Sequence, residues 1–355
     1  MRTLMRTPLL ALGLLAGLAA AAPAPRAPID ADALRSVAEK FRKHGVAQPP
    51  AKEPGRVRLA TWNIHELYDE ADDPALSGAE DDLPRAVPLP RREALAGVLA
   101  RLDADLIVLQ EVESLDALTW FRDGHLAELG YAHAASIDVG HQIGMEQGVL
   151  SRFPILDARV WAGRQIGIEP PVDGRGRPNP DAGKPMTFRR SPLLVEVDLA
   201  GAGTAGAEED RLTVIGVHLK TGRDEGLWRA AEVAGIAAIV DELRADRPER
   251  RIVVMGDFAV EPSEGYLAPL LSCGFHDIFT EVQAGRDEVA TNIAGRRDSL
   301  ILIGSPLLAQ TEGEPRFVLG TPAPPERVDL EIAFRMPGFA SDNYPVAVDL
   351  RVPVR

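Results

Sequence analysis

An Asn, a Glu, a His and three Asp stand at the ends of apolar, β-branched runs in this chain. Asn63 closes Arg58-Leu-Ala-Thr-Trp-Asn63, Glu111 closes Leu106-Ile-Val-Leu-Gln-Glu111, His218 closes Leu212-Thr-Val-Ile-Gly-Val-His218, and Asp257 closes Ile252-Val-Val-Met-Gly-Asp257. Asp298 opens a further run, and Asp342 lies in Ser341-Asp-Asn-Tyr-Pro345. Runs of this length and composition predict strands that each deliver a reactive side chain at or just past one end. Converging on one rim, these groups would make an oxygen-rich site for a hard divalent cation beside a phosphate, with His and Asp side chains left to handle protons.

The intervening segments supply the elements that would position such a rim. Apolar residues recur at helical spacing from Arg91 to Leu102, from Leu115 to Leu129 and from Leu227 to Leu243, so helices alternate with strands along the chain. Three loops interrupt the pattern. Glu66 to Asp82 carries Asp69, Asp72, Asp73, Asp81 and Asp82; its spacing fits no calcium-loop template and predicts a solvated acidic face. Gln165 to Lys184, rich in Gly, Pro and Arg, predicts a mobile surface loop near the rim, and Gly201 to Asp210 a hairpin connection.

With 355 residues, 45% of them apolar, the chain can bury a full core. Residues 1–22 have the order of a secretory signal peptide: Arg2 and Arg6, then an apolar run from Leu9 to Ala22, then Pro23. Residues 23–54 read as a leader and linker with one short helix over Ala31 to His44, and 55–355 as the folded domain. This predicts an exported protein, periplasmic or extracellular, monomeric and without an integral span once the signal is removed. Cys273 is the single cysteine, so no internal disulfide accompanies export. A net charge of −14 disfavours tight non-specific binding of nucleic acid, while a bound cation and a few arginines would suffice for local phosphate contacts.

The order of the motifs is more specific than any one of them. Thr61-Trp62-Asn63-Ile64, Leu109-Gln110-Glu111-Val112, Leu150-Ser151-Arg152-Phe153-Pro154, Val217-His218-Leu219-Lys220, Met255-Gly256-Asp257-Phe258 and Ser341-Asp342-Asn343-Tyr344-Pro345-Val346 together resemble the endonuclease/exonuclease/phosphatase superfamily, from about Val57 to Val352. The run from Asp298 to Leu308 and Phe188-Arg-Arg-Ser-Pro192 look most like its secreted deoxyribonuclease branch and bacterial relatives. The resemblance implies an α/β four-layer sandwich, two packed mixed β-sheets flanked by helices. It also implies Mg²⁺-dependent phosphoester hydrolysis, with Mn²⁺ or Ca²⁺ as alternative ions and DNA or a small phosphodiester as substrate.

Carried over by position, the resemblance implies metal ligands at Asn63, Glu111 and Asp342. It implies that Asp257 orients or deprotonates water, that His218 donates to the phosphate, and that Asp298 holds the side chain at position 343. Arg190 or Arg189, and Arg152, would contact phosphate oxygens. Two positions depart from the pattern: Ala259 stands where the family has Asn, and Asn343 where it has His. A lost hydrogen-bond donor costs about 10²- to 10³-fold in rate, and lost acid–base help about 10²- to 10⁴-fold. Asn343 could still bond Asp298 but does not titrate. His65, two residues past Asn63, is the candidate substitute base by strand alternation, whereas His141 and His276 read as solvent-facing loop residues. The chain therefore reads as a phosphodiesterase with weakened catalysis. The alternative is an inactive member that binds metal, a phosphate ligand or a protein partner.

Overall fold

The computed structural model describes residues 42–72, 86–141, 143–201, 210–280, 285–323 and 329–352. The signal peptide, most of the leader, and Asp73, Asp81 and Asp82 of the acidic loop lie outside these residues.

In chain order the first sheet's strands are β1 (Arg56–Leu67), β2 (Leu106–Val112), β3 (His133–Ser136) and β4 (Glu146–Ser151). The second sheet takes β5 (Ile155–Val160); β6 (Gln165–Ile168) and β7 (Pro185–Thr187) form a separate hairpin. β8 (Leu193–Asp198), β9 (Arg211–His218), β10 (Ile252–Asp257), β11 (Phe275–Asp277) and β12 (Ser299–Gly304) complete the second sheet, while β13 (Arg316–Val318) and β14 (Val346–Arg351) return to the first. The six-stranded sheets have the orders β13-β14-β1-β2-β4-β3 and β11-β12-β10-β9-β8-β5. Among the described strands only β1 with β2 and β9 with β10 run parallel. Each parallel pair needs a crossover, supplied by helices α1 (Leu89–Leu102) and α3 (Gly226–Asp246); α2 (Leu115–His125) follows β2.

Strand alternation divides the core into three layers. Val57, Leu59, Leu106, Val108, Val149, Val214, Val253 and Met255 face one another between the sheets. Trp62, Ile107 and Leu109 turn outward onto α1 residues such as Leu95 and Leu99, and Ile215 and Val254 turn onto Ile236 and Val240 of α3. The result is the expected four-layer α/β sandwich.

Local expectations differ at three places. Ser341 to Pro345 is not a strand, because Pro345 lacks an N–H and the ladder begins only at Val346. Residues 42–54 are not a linker. Arg42–His44 form no helix; Val46 N donates to Val318 O at 2.8 Å and Gly320 N to Val46 O at 2.8 Å, seating the segment on the first sheet's edge. The Gln165–Lys184 segment is tied down by the β6–β7 ladder and by Arg175, whose Nε meets Asp224 Oδ2 at 2.6 Å.

Candidate active site

The topology explains why the reactive residues share one end. Two parallel strands in each sheet finish there, and antiparallel β12 and β14 begin there. Asn63, Glu111, His218 and Asp257 therefore come to the same rim as Asp298 and Asp342. The inter-sheet faces that are apolar deeper down become polar on their last turns, with Thr61, Asn63, Gln110, Gln147, His218 and Asp257 all buried. The site is the polar cap of the central core.

Asn63 joins the sheets. Its Nδ2 donates to Glu111 Oε1 at 3.0 Å and to Asp257 Oδ2 at 3.0 Å, while Oδ1 accepts His65 N–H at 3.0 Å. The amide thus ties two carboxylates together across the sheets, and its oxygen, with two lone pairs, keeps one acceptor position besides the backbone bond. Glu111 sits at a bulge in β2 with φ +68°, which turns its carboxylate out of the ladder. His65 and Glu66 form a second irregularity, with φ +57° and +62°, held from behind by Arg91 donating to Ile64 O and His65 O. His65 Nδ1 lies 3.3 Å from Asp342 Oδ1, and its ring packs 5.0 Å from Phe334.

His218 is fully buried, with Nε2 3.8 Å from Glu111 Oε1 and no hydrogen-bond partner for either ring nitrogen among the described residues. Burial, then Arg190 and His141, hold its pKa well below the ordinary value, so the imidazole is neutral. Burial and then the charge of Asp298 raise Asp257, against the bonds from Asn63 and Ala259 N–H. Asp298 is also raised, by burial opposed by Thr291 and Arg296. Burial pushes Asp342 up, but His65 outweighs it and holds the carboxyl below its usual range. For His65, burial is outweighed in turn by Asp342 and Glu111, which raise it.

Several expected placements change. Asn343 does not hold Asp298: its Nδ2 donates to Asp342 Oδ1 at 2.9 Å. Asp298 is held instead by Asn292 Nδ2 at 2.8 Å and Thr291 Oγ1 at 3.0 Å. Arg152 lies at the wrong end, since β4 runs antiparallel to β2 and Ser151 pairs with Leu106. There its guanidinium meets Asp103 and Asp105, each at 2.8 Å, so it contacts no phosphate at the rim. Arg190 is at the site, 7% exposed; burial lowers its pKa, opposed by the charges of Glu111 and Asp257. His141 is buried rather than solvent-facing, and burial followed by Arg190, Arg189 and Lys220 lowers it to about 4. His276 is exposed, on β11. Sequence reasoning missed Asn292, Thr291 and the buried side of His141, none of which ends an apolar run.

Among the described residues no three His, Cys, Asp or Glu side chains gather as a metal cluster. The donors still suit a hard cation. Glu111 and Asp342 provide carboxylate oxygens that both act on the His65 ring, and Mg²⁺ needs only one or two carboxylates when water and substrate phosphate complete its shell.

Among solved structures, truncated TDP2 of Caenorhabditis elegans is similar with a TM-score of 0.52 and 15% identity, over 84% of this chain and 98% of that one. The human Nocturnin catalytic domain with bound sulfate anion is similar with a TM-score of 0.51 and 15% identity, over 86% of this chain and 100% of that one. These likenesses carry the fold alone. No curated protein matches the chain. The family description "Endonuclease/Exonuclease/phosphatase family" matches residues 60–330, and with the two parallel pairs ending on Asn63, Glu111, His218 and Asp257 the chain belongs to that family of phosphoester hydrolases.

Proposed function

We propose that the protein is an exported, monomeric, Mg²⁺-dependent phosphodiesterase or nuclease-like hydrolase with weakened catalysis. The observation that carries this reading is the joining of Glu111 and Asp257 through one amide, Asn63, at 3.0 Å on each side, next to the neutral His218. Glu111 and Asp342 would hold Mg²⁺, which when bound supplies charge to the phosphoryl oxygens. Asp257 orients the attacking water and accepts its proton, the kept proton affinity of a buried carboxylate suiting that task. His218 donates a hydrogen bond to a phosphoryl oxygen, and Arg190 adds its charge as negative charge grows there. His65, anchored by Asp342, stands in for the imidazole missing at position 343. The signal peptide over 1–22 and the exported location rest on sequence pattern.

A specific observation favours the alternative of an inactive ligand-binding member. Asp298 is occupied by Asn292 and Thr291, so no Asp–His pair forms where the family has one. Mg²⁺-dependent release of nitrophenol from bis(p-nitrophenyl) phosphate separates the readings. The hydrolase reading expects turnover that EDTA abolishes, that His65→Ala lowers, and that Ala259→Asn raises about 10²-fold. A silent wild type beside an active Ala259→Asn/Asn343→His double variant would establish the alternative. Equal rates for wild type and Asp257→Asn would remove Asp257 from the mechanism.

A further inference from the structure

Next to the site, a buried acid ties together the backbones of two cationic residues. The antiparallel ladder of β8 and β9 ends at Leu193 opposite Gly216, and Arg189 and Lys220 follow in the two chain segments that leave it, Lys220 just beyond His218. Glu232 of α3, with 0% exposure, reaches both: Oε1 accepts Arg189 N–H at 3.0 Å and Oε2 accepts Lys220 N–H at 2.7 Å. Arg229, also buried, donates to Lys220 O at 3.1 Å and Gly222 O at 2.7 Å, fixing the segment from the other side. Between them Arg190 donates to Leu219 O at 3.1 Å, and its Nε has no partner among the described residues.

This arrangement is costly for structure alone. Like charges repel, and Arg189 acts against the neighbouring Arg190 cation. A carboxylate at zero exposure is also expensive: burial pushes Glu232 up to about 7, against the N–H groups of Lys220 and Arg189 and the charges of Arg190 and Lys220. Among the described residues no carboxylate pairs with the exposed Arg189 guanidinium, and Lys220 Nζ has only Glu225, at 3.6 Å. Across from them the buried His141 carries an unpartnered Nδ1 and senses Arg190, Arg189 and Lys220 together. In a chain of net charge −14, this sets cations beside the carboxylates of the rim.

We propose that Arg189 and Lys220 form a subsite for a second phosphoryl group, carried by the substrate beside the ester that is cleaved. Arginine's planar fork suits two phosphate oxygens and lysine adds a compact charge. Glu232 is a positioning residue: it sets the spacing of the two backbones and touches no substrate. The proposal rests on the phosphodiesterase reading and names the class of substrate that reading leaves open.

The test compares two chromogenic esters with the full chain and Mg²⁺: thymidine 5′-(p-nitrophenyl phosphate) and the same ester bearing a 3′-phosphate. A kcat/KM at least tenfold higher for the bisphosphate is expected, expressed in KM, with the ratio falling toward one in Arg189→Ala and in Lys220→Ala. A ratio of one in the wild type, or a ratio those variants leave untouched, overturns the subsite. Turnover of neither ester would count against the hydrolase reading, and calorimetry with inorganic pyrophosphate and inorganic phosphate then decides the subsite separately. Tighter pyrophosphate binding that is lost in both variants upholds it, and equal binding of the two anions overturns it. A single-stranded oligothymidylate arm distinguishes the source of the second phosphate. Preference for the oligomer over a dinucleoside monophosphate assigns it to the next linkage of a polymer, and a preference confined to the terminal phosphate assigns it to a small nucleotide.

Discussion

The two sheets bring parallel pairs to the same rim, yet the pairs end differently. In the first sheet β1 and β2 lose register after Asn63 and Gln110, and His65, Glu66 and Glu111 take positive φ. In the second sheet β9 and β10 stay in register to the last residues, with Gly256 opposite Val217 and Asp257 opposite His218. Irregular ends push side chains up and out: the Glu111 side chain is 15% exposed, that of His218 0%. The first sheet thus leaves a carboxylate partly open to solvent, where the proposed cation would bind. The second keeps its imidazole and carboxyl buried, where desolvation sets their protonation.

The sharpest way to break this division is to mutate one residue from each sheet. Asp257→Asn is expected to lower kcat about 10³-fold or more with the Mg²⁺ concentration for half-maximal rate unchanged. Glu111→Ala should instead raise that concentration more than about tenfold. A Glu111 variant with normal Mg²⁺ dependence would show that the bulged end does not serve the cation.

The regular end of β10 depends on one glycine. Gly256 has φ +152°, and a Cβ there would lie 1.9 Å from Val217 O. Gly256→Ala is expected to destabilise the fold by about 3 kcal/mol, measured by urea unfolding, because backbone rather than a flexible side chain must yield. A small loss would mean that the two strands can separate at their ends, and that burial of Asp257 is less firmly imposed than that of His218.

Much of this was readable from residue order because the apolar runs mark the strands, and each run's last residue is what the parallel topology delivers. Asn63, Glu111, His218 and Asp257 come to one rim in this way. The same logic misled at Arg152, since a strand running the other way delivers its last residue to the other end, and direction is not written in composition. Asn292 was invisible for a different reason. It reaches Asp298 from a loop, through a hydrogen bond that no period or spacing encodes. The segment at 42–54 reads as a linker from its prolines, Pro49, Pro50 and Pro54, although its backbone pairs with the sheet edge.

Buried acids beside the rim give a pH test of the desolvation argument. Burial pushes Glu146 up to about 8 and Glu232 to about 7. Such acids bind protons more tightly folded than unfolded, so their stabilisation is full below about 4.5 and is lost as pH rises through 7 and 8. His141 and His218, held low, act oppositely, but only below about 6.5. Between about pH 6.5 and 8, in EDTA, the thermal midpoint should therefore fall by several degrees, and Glu146→Gln should flatten the slope. An unchanged slope in that variant would mean that Glu146 reaches solvent.

The smallest effect isolates backbone from chemistry at the turn after Asp257. Ala259 has φ +50°, and its N–H donates to Asp257 Oδ1 at 2.8 Å. That left-handed conformation disfavours alanine and is tolerated by glycine and asparagine. The turn thus keeps a shape suited to the Asn of the family while the side chain that would do chemistry is absent. Ala259→Gly relieves the strain and adds no donor, so it should gain about 0.5–1 kcal/mol of stability and leave the rate unchanged. Ala259→Asn should gain similar stability together with rate. If glycine raised the rate as well, the defect at 259 would lie in strain transmitted to Asp257, and the buried end of the second sheet would be limited by its backbone rather than by a missing hydrogen bond.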